Sequence, residues 1–217
     1  MQNMPILLDL HTQKDLFCPG GALYDPRTDR VTAKVYRLFR WARRAKVPVL
    51  SAKLLARWGH HGPFSLEPHC VDGSGGEEKL ARTLLGRRID LGLAHTADLP
   101  CDLLKTYQQV IFETWDEDIF HHQKLERLIT ELVGARTFIL CGASIAVGIK
   151  QAVLGLRKRG HDVIIASDAV LDLNDPATEM AWLRIVAKGA QLMTVAEVAE
   201  AFVPTRRARA ISAAVAS

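Results

Sequence analysis

Short, unbroken apolar runs recur along this chain, and between them the apolar residues switch to helical spacing. Pro5-Ile6-Leu7-Leu8-Asp9-Leu10 and Val47-Pro48-Val49-Leu50-Ser51 are the first two runs. Gln109-Val110-Ile111-Phe112-Glu113, Thr137 to Cys141, Asp162-Val163-Ile164-Ile165-Ala166 and Gln191-Leu192-Met193 follow. Runs without polar alternation belong to strands covered on both faces, as in a parallel sheet. Between the first two, Val31, Val35, Leu38, Phe39 and Ala42 share one side of a helix predicted over Arg30 to Lys46, with basic residues opposite. Leu125, Leu128, Ile129 and Leu132 repeat the pattern after His121-His122. Ile149, Val153 and Leu156 do so ahead of Arg157-Lys158-Arg159-Gly160, a cationic last turn closed by glycine. A further helix is expected from Asp175-Pro176 to Lys188-Gly189. This alternation predicts a three-layer α/β/α domain of Rossmann-like type with right-handed crossovers.

Composition narrows the class. The chain has 217 residues, 48% hydrophobic and 24% charged, enough for one large domain with a substantial core. No apolar run reaches the roughly 18 residues needed to span a bilayer, and Met1-Gln2-Asn3-Met4-Pro5 does not open a signal segment. Cys18, Cys70, Cys101 and Cys141 are scattered without a CxxC pair or zinc-type spacing, so free thiols in a cytoplasmic setting are expected. Residues 53–100 hold glycines, prolines and histidines with weak periodicity and read as an excursion over the sheet edge. The domain is assigned to residues 1–203, and residues 204–217 to a basic, alanine-rich C-terminal tail.

Open α/β sheets bind ligands beyond the carboxyl ends of their strands. The residues just past those ends are His11, Lys53 and Leu55, Thr114, and Ser144 to Gly148. In the last group, Cys141-Gly142-Ala143-Ser144-Ile145-Ala146-Val147-Gly148 leaves a strand through small residues and enters a helix. A nucleophile in that first turn would face orphan amide groups that stabilise an anion. Gly148 has no side chain to supply one.

Three ordered segments carry a family resemblance. Leu8 to Tyr24, with Gln13-Lys14-Asp15-Leu16-Phe17 followed by Pro19-Gly20-Gly21, resembles the opening of isochorismatase-like cysteine hydrolases, the superfamily of nicotinamidases. Glu67-Pro68-His69-Cys70-Val71-Asp72-Gly73-Ser74-Gly75-Gly76 is similar to that family's Pro-x-His-Cys-Val-x-Gly-Thr-x-Gly segment. The third match is Cys141 to Ile145 with its helix, then Arg159-Gly160-His161-Asp162-Val163 and Ser167-Asp168-Ala169. The resemblance spans about Pro5 to Phe202. It implies a six-stranded parallel sheet with the first strand at its centre, and assembly as a homo-oligomer.

The family works through an Asp-Lys-Cys triad, in which a thiolate attacks an amide or related carbon and the aspartate manages its proton. Carried over position by position, the aspartate falls on His11, the lysine on Thr114 and the cysteine on Gly148. Asp9 lies two residues before the aspartate position, roughly 6–7 Å deeper along a strand. Cys141 precedes Gly148 by about two helical turns and reads as a small buried thiol. The nicotinamidase-type metal site needs an Asp-x-His after the second strand, where this chain has Lys53 and Leu55. His69 then stands alone, and neither a metal nor another cofactor is expected. A new His11, His60 and His69 metal site is a weaker alternative.

The resulting expectation is a catalytically degenerate isochorismatase-like protein that binds a small molecule or a protein partner without cysteine-based hydrolysis. Its ligand-binding candidates are His11, His69, Thr114, Ser144, Ile145 and Gly148. The alternative is an isochorismatase/nicotinamidase-type hydrolase with a repurposed site, in which His11 acts as general base on water. Arg37, Arg40, Arg43, Arg44 and Lys46 crowd one helix, and Arg206, Arg207 and Arg209 the tail. Solvated helix faces account for such clusters, so nucleic acid is not an expected partner, and neither is a membrane.

Overall fold

The structure is a computed structural model that describes residues 4–57, 67–93, 96–115, 118–173 and 176–202. His60, His61, Asp175 and the tail with Arg206, Arg207 and Arg209 lie outside the described residues. The strands are β1 (Ile6–Leu10), β2 (Val49–Leu54), β3 (Arg88–Asp90), β4 (Gln109–Thr114), β5 (Thr137–Ala143), β6 (Asp162–Leu171) and β7 (Gln191–Met193). The helices are α1 (Lys14–Phe17), α2 (Thr28–Ala45), α3 (Leu103–Thr106), α4 (Gln123–Arg127), α5 (Lys150–Lys158), α6 (Thr178–Ala187) and α7 (Val195–Ala201).

Every strand pair is parallel, in the order β3-β4-β2-β1-β5-β6-β7, which puts β1 in the middle. The sheet has seven strands, not the six expected. The extra strand, β3, is short and mostly exposed, and it pairs only with β4 at the edge. Arg88-Ile89-Asp90 offers no apolar run because an edge strand of that length has little to bury. The expected helix at Asp175-Pro176 starts at Thr178, with Ala177 as its N-cap.

Two apolar layers flank the sheet. On one face Leu8, Leu10 and Leu140 pack with Leu125, Ile129, Ile149 and Val153. On the other, Leu7, Ile139 and Cys141 pack with Val35, Leu38, Phe39 and Val198. Successive side chains along a strand point to opposite faces, so Leu7 and Asp9 look toward α2 while Leu8 and Leu10 look toward α5. The amphipathic α2 ends at Lys46, whose left-handed φ of 56° lets the following Val47 N–H turn back to the Ala42 carbonyl at 3.0 Å. At α7 a capping box ties Thr194 to Glu197 in both directions.

One glycine fixes how β5 leaves the sheet. Gly142 has φ of 111°, and a Cβ there would run into the Leu10 carbonyl. The register between β5 and β6 shifts at the same point, between Leu140 and Gly142. The close approach brings the end of β5 against the end of β1.

Candidate functional site

β1 ends at Leu10, and the next residue, His11, breaks the extended run with a φ of 54°. Non-glycine residues in that region are uncommon, and they concentrate where tertiary structure over-determines the backbone. The turn carries the imidazole to the start of the α5 segment, with Nδ1 3.1 Å from the Ala143 carbonyl oxygen. A carbonyl oxygen only accepts, so Nδ1 carries the proton. The ring is fully buried. Burial pushes its pKa down to about 4; the Lys79 and His69 charges add to the drop and the Ala143 hydrogen bond opposes it. At neutral pH His11 is an uncharged imidazole.

Gly148 lies in the π-helical turn Ile145–Ile149 that leads into α5. A Cβ built on it would sit 3.2 Å from His11 Cε1, 3.3 Å from His11 Nδ1 and 3.2 Å from the Ala143 oxygen. The space a side chain at 148 would enter is thus bounded by the His11 ring. Ser144 precedes the turn in extended conformation, after a cis Ala143–Ser144 peptide, and its carbonyl accepts from the Ile149 amide at 3.0 Å. Ile145 is buried in the apolar layer of α4 and α5 rather than turned toward a surface.

The other candidates stand apart. Thr114 closes β4, and β2 lies between that strand and β1. At a strand spacing of about 4.8 Å this puts it on the order of 10 Å from β1. Its carbonyl takes the Leu55 amide at 2.8 Å, and its buried Oγ1 has no hydrogen-bond partner among the described residues. His69 is buried with Nδ1 2.9 Å from the Glu67 carbonyl oxygen, and burial lowers its pKa. The structure therefore brings His11 and Gly148 together beside Ser144, places His69 within electrostatic reach of His11, and leaves Thr114 two strands away.

Two motif residues prove to be clasps. The Gln13 amide donates to the carbonyls of Leu54 at 2.7 Å and Glu77 at 2.8 Å, and accepts from the Leu54 amide at 2.8 Å. Asp15 accepts from the Cys70 amide at 2.6 Å and the Ala22 amide at 3.2 Å. Both tie the loop before β3 to the end of β1. The residues at the metal-site positions do not suit a metal. Lys53 puts an ammonium 3.0 Å from Glu113 Oε1, and Leu55 is buried and apolar. An ammonium repels a cation, and an alkyl chain has no donor for one.

Residues 91–197 match the Isochorismatase domain family model. That span includes Thr114, Ser144 and Gly148 but neither His11 nor His69. An isochorismatase-like hydrolase from Alkaliphilus metalliredigens superposes with a TM-score of 0.70 at 16% identity, covering 93% of this chain and 100% of its own. A nicotinamidase/pyrazinamidase from Bacillus subtilis gives 0.67 at 18% identity, with 88% and 99% covered. An N-carbamoylsarcosine amidase from Thermoplasma acidophilum gives 0.64 at 17% identity, with 89% and 97% covered. A search of curated proteins found no match to the chain. The chain has the isochorismatase-like fold.

Within that fold, burial raises the pKa of two of the described thiols. Cys141 is fully buried, and burial together with the Asp9 carboxylate holds its pKa well above the usual thiol value. Burial raises Cys70 in the same way. Cys18 and Cys101 are more accessible but unconnected with His11 or Gly148 by any described contact.

Sequence reasoning missed Lys79. Its ammonium is buried against Asp9 at 2.6 Å and the Thr12 hydroxyl at 2.8 Å. The Ser51 hydroxyl donates to the same Asp9 oxygen at 2.8 Å, and Gln109 donates in turn to Ser51 at 3.0 Å. Nothing in Glu77-Glu78-Lys79 separates a core ammonium from a solvated one. Asp9 faces the α2 side of β1, so its charge is committed to Lys79 and Ser51 rather than to the turn at Gly148.

Proposed function

We propose that this chain is a catalytically degenerate isochorismatase-like protein, which binds a small molecule or a protein partner without cysteine-based hydrolysis. The observation that carries the reading is the contact between His11 and Gly148. The position that the family resemblance assigns to the nucleophile has no side chain, and a neutral imidazole occupies the adjoining space. Attack by a thiolate needs a sulfur, a proton acceptor and a charge partner within hydrogen-bond reach of one another. Gly148 supplies no sulfur and Thr114 no charge, so His11 has no thiol beside it to deprotonate.

Two further points belong to the same proposal. All four cysteines are free, which suits a cytoplasmic setting. Met180, Leu183 and Val186 expose 54%, 64% and 51% of their surface along one stripe of α6, which supports assembly as a homo-oligomer. Sedimentation of the purified chain tests that assembly.

Ammonia release from nicotinamide, pyrazinamide and simple N-carbamoyl compounds is the deciding assay. The expected result is no turnover by the native chain, alongside saturable thermal stabilisation by a bound carboxylate or amide. Robust turnover that disappears in His11→Ala would overturn the proposal and establish a repurposed hydrolase.

A further inference from the structure

Helix α2 presents Arg37, Arg40 and Arg43 at three-residue intervals, all exposed. They line a cleft of about 710 Å³ whose opposite wall includes Arg82, from the single helical turn Ala81–Thr83. The Arg82 guanidinium lies 4.5 Å above the Tyr36 ring, which also lines the cleft. One carboxylate, Asp29, borders the same space and accepts from the Tyr24 hydroxyl. The cleft lies on the α2 face of the sheet, away from the Gly148 turn.

Four guanidiniums facing one carboxylate are electrostatically incomplete. Among the described residues none of the four forms an ion pair, and Arg43 reaches only the Leu84 carbonyl, at 3.4 Å. Residues three and four apart on a helix are neighbours, so Arg40 is flanked by Arg37, Arg43 and Arg44 rather than by acids. That repulsion is relieved when an anion binds. The guanidinium fork matches phosphate oxygens in pairs. Arg37 and Arg43 are separated by about 9 Å along the helix, a span suited to more than one phosphate with Arg40 between. The volume falls in the range of small-ligand sites, roughly 300–1,000 Å³. An aromatic ring stacked with arginine is also a platform for a planar base.

We infer that this cleft binds a nucleotide unit, with its phosphates on Arg37, Arg40 and Arg43 and its base against Tyr36 and Arg82. The unit is either a free nucleotide or one residue of a single strand, and the experiment separates these sources. Binding of ADP, pyrophosphate and a short single-stranded oligoadenylate is measured by calorimetry or fluorescence anisotropy at low and physiological salt. ADP or the oligonucleotide should bind the native chain and lose roughly 100-fold in affinity with R37Q/R40Q/R43Q. The control R30Q/R44Q/K46Q removes equal charge outside the cleft and should cost no more than about threefold, because most of the effect is local. Tyr36→Ala should weaken the base-bearing probes by roughly tenfold and leave pyrophosphate unchanged.

All the substituted residues are exposed, so both triple variants should keep the native circular-dichroism spectrum and unfold cooperatively. ADP binding without oligonucleotide binding assigns the free ligand. Tighter oligonucleotide binding, with a log–log salt slope near about −2 for three phosphates, assigns the strand. Failure of all three probes to bind at low salt overturns the inference. So does equal weakening by both triple variants, or pyrophosphate binding as tightly as ADP with no effect of Tyr36→Ala. None of these readouts depends on whether the chain hydrolyses amides.

Discussion

Gly148→Ala, made alone and together with His11→Ala, measures the contact on which the functional reading rests. In a helical turn an alanine is favoured over glycine by about 1 kcal/mol, because glycine loses more backbone freedom on folding. Here the new Cβ meets His11 Cε1 and the Ala143 oxygen, each at 3.2 Å, closer than comfortable van der Waals separation. Overpacking of this kind costs about 1–3 kcal/mol, so the single variant should be neutral to about 2 kcal/mol destabilised. His11→Ala removes one of the two walls and leaves the Ala143 carbonyl in place. In that background Gly148→Ala should be close to neutral or stabilising, giving a coupling energy of about 1 kcal/mol or more. Urea unfolding of the four proteins at pH 7 supplies the cycle. Effects that add to within about 0.5 kcal/mol would show that the imidazole does not bound the space at 148, and the reasoning would fail.

Three further variants probe the same end of the sheet. His11 has a folded pKa of about 4 against 6.5 unfolded, so its contribution is complete above about pH 6.5 and is lost as pH falls toward 4. The ceiling on that loss is about 3 kcal/mol. His11→Asn should flatten the acid limb of the stability–pH curve relative to the native chain, and an unchanged limb would place the histidine in solvent. Lys79→Met should cost about 3–5 kcal/mol by stranding the Asp9 carboxylate in the core, and Asp9→Leu/Lys79→Met should recover much of it. Equal loss in the single and double variants, by chemical denaturation, would mean the pair is not coupled.

Legibility in the sequence followed how local each determinant is. The bounds of β7 and the start of β5 coincide with the apolar runs; burial on both faces keeps polar residues out of β5, whereas β7 is a largely exposed edge strand. β6 continues to Leu171, five residues past its run, because Ser167 and Asp168 are polar for reasons outside the strand. Asp168 pairs with Lys34 at 2.6 Å and accepts from the Val195 amide at 2.8 Å. β3 was invisible because its pairing comes from β4 rather than from its own residues. His122 is a local determinant: it stands just ahead of an apolar periodic stretch, and its Nδ1 accepts from the Leu125 amide at 3.3 Å as a helix cap.

The site itself was half legible, and the reason lies in strand geometry. Alternation along β1 places Asp9 on the α2 face, where it meets Ser51 and Lys79. The same alternation would send His11 to that face as well, but the backbone turns left-handed there and the ring crosses to the Gly148 turn. No spacing rule encodes that inversion; it depends on Gly142 letting β5 come within reach of the Leu10 carbonyl. The consequence is electrostatic. Asp9 within β1 and His11 just past its end serve different partners, a buried ion pair with Lys79 and the turn at Gly148. Any chemistry at Gly148 would have to proceed with the neutral His11 ring, because the nearby carboxylate is held by its own lysine on the other side of the sheet.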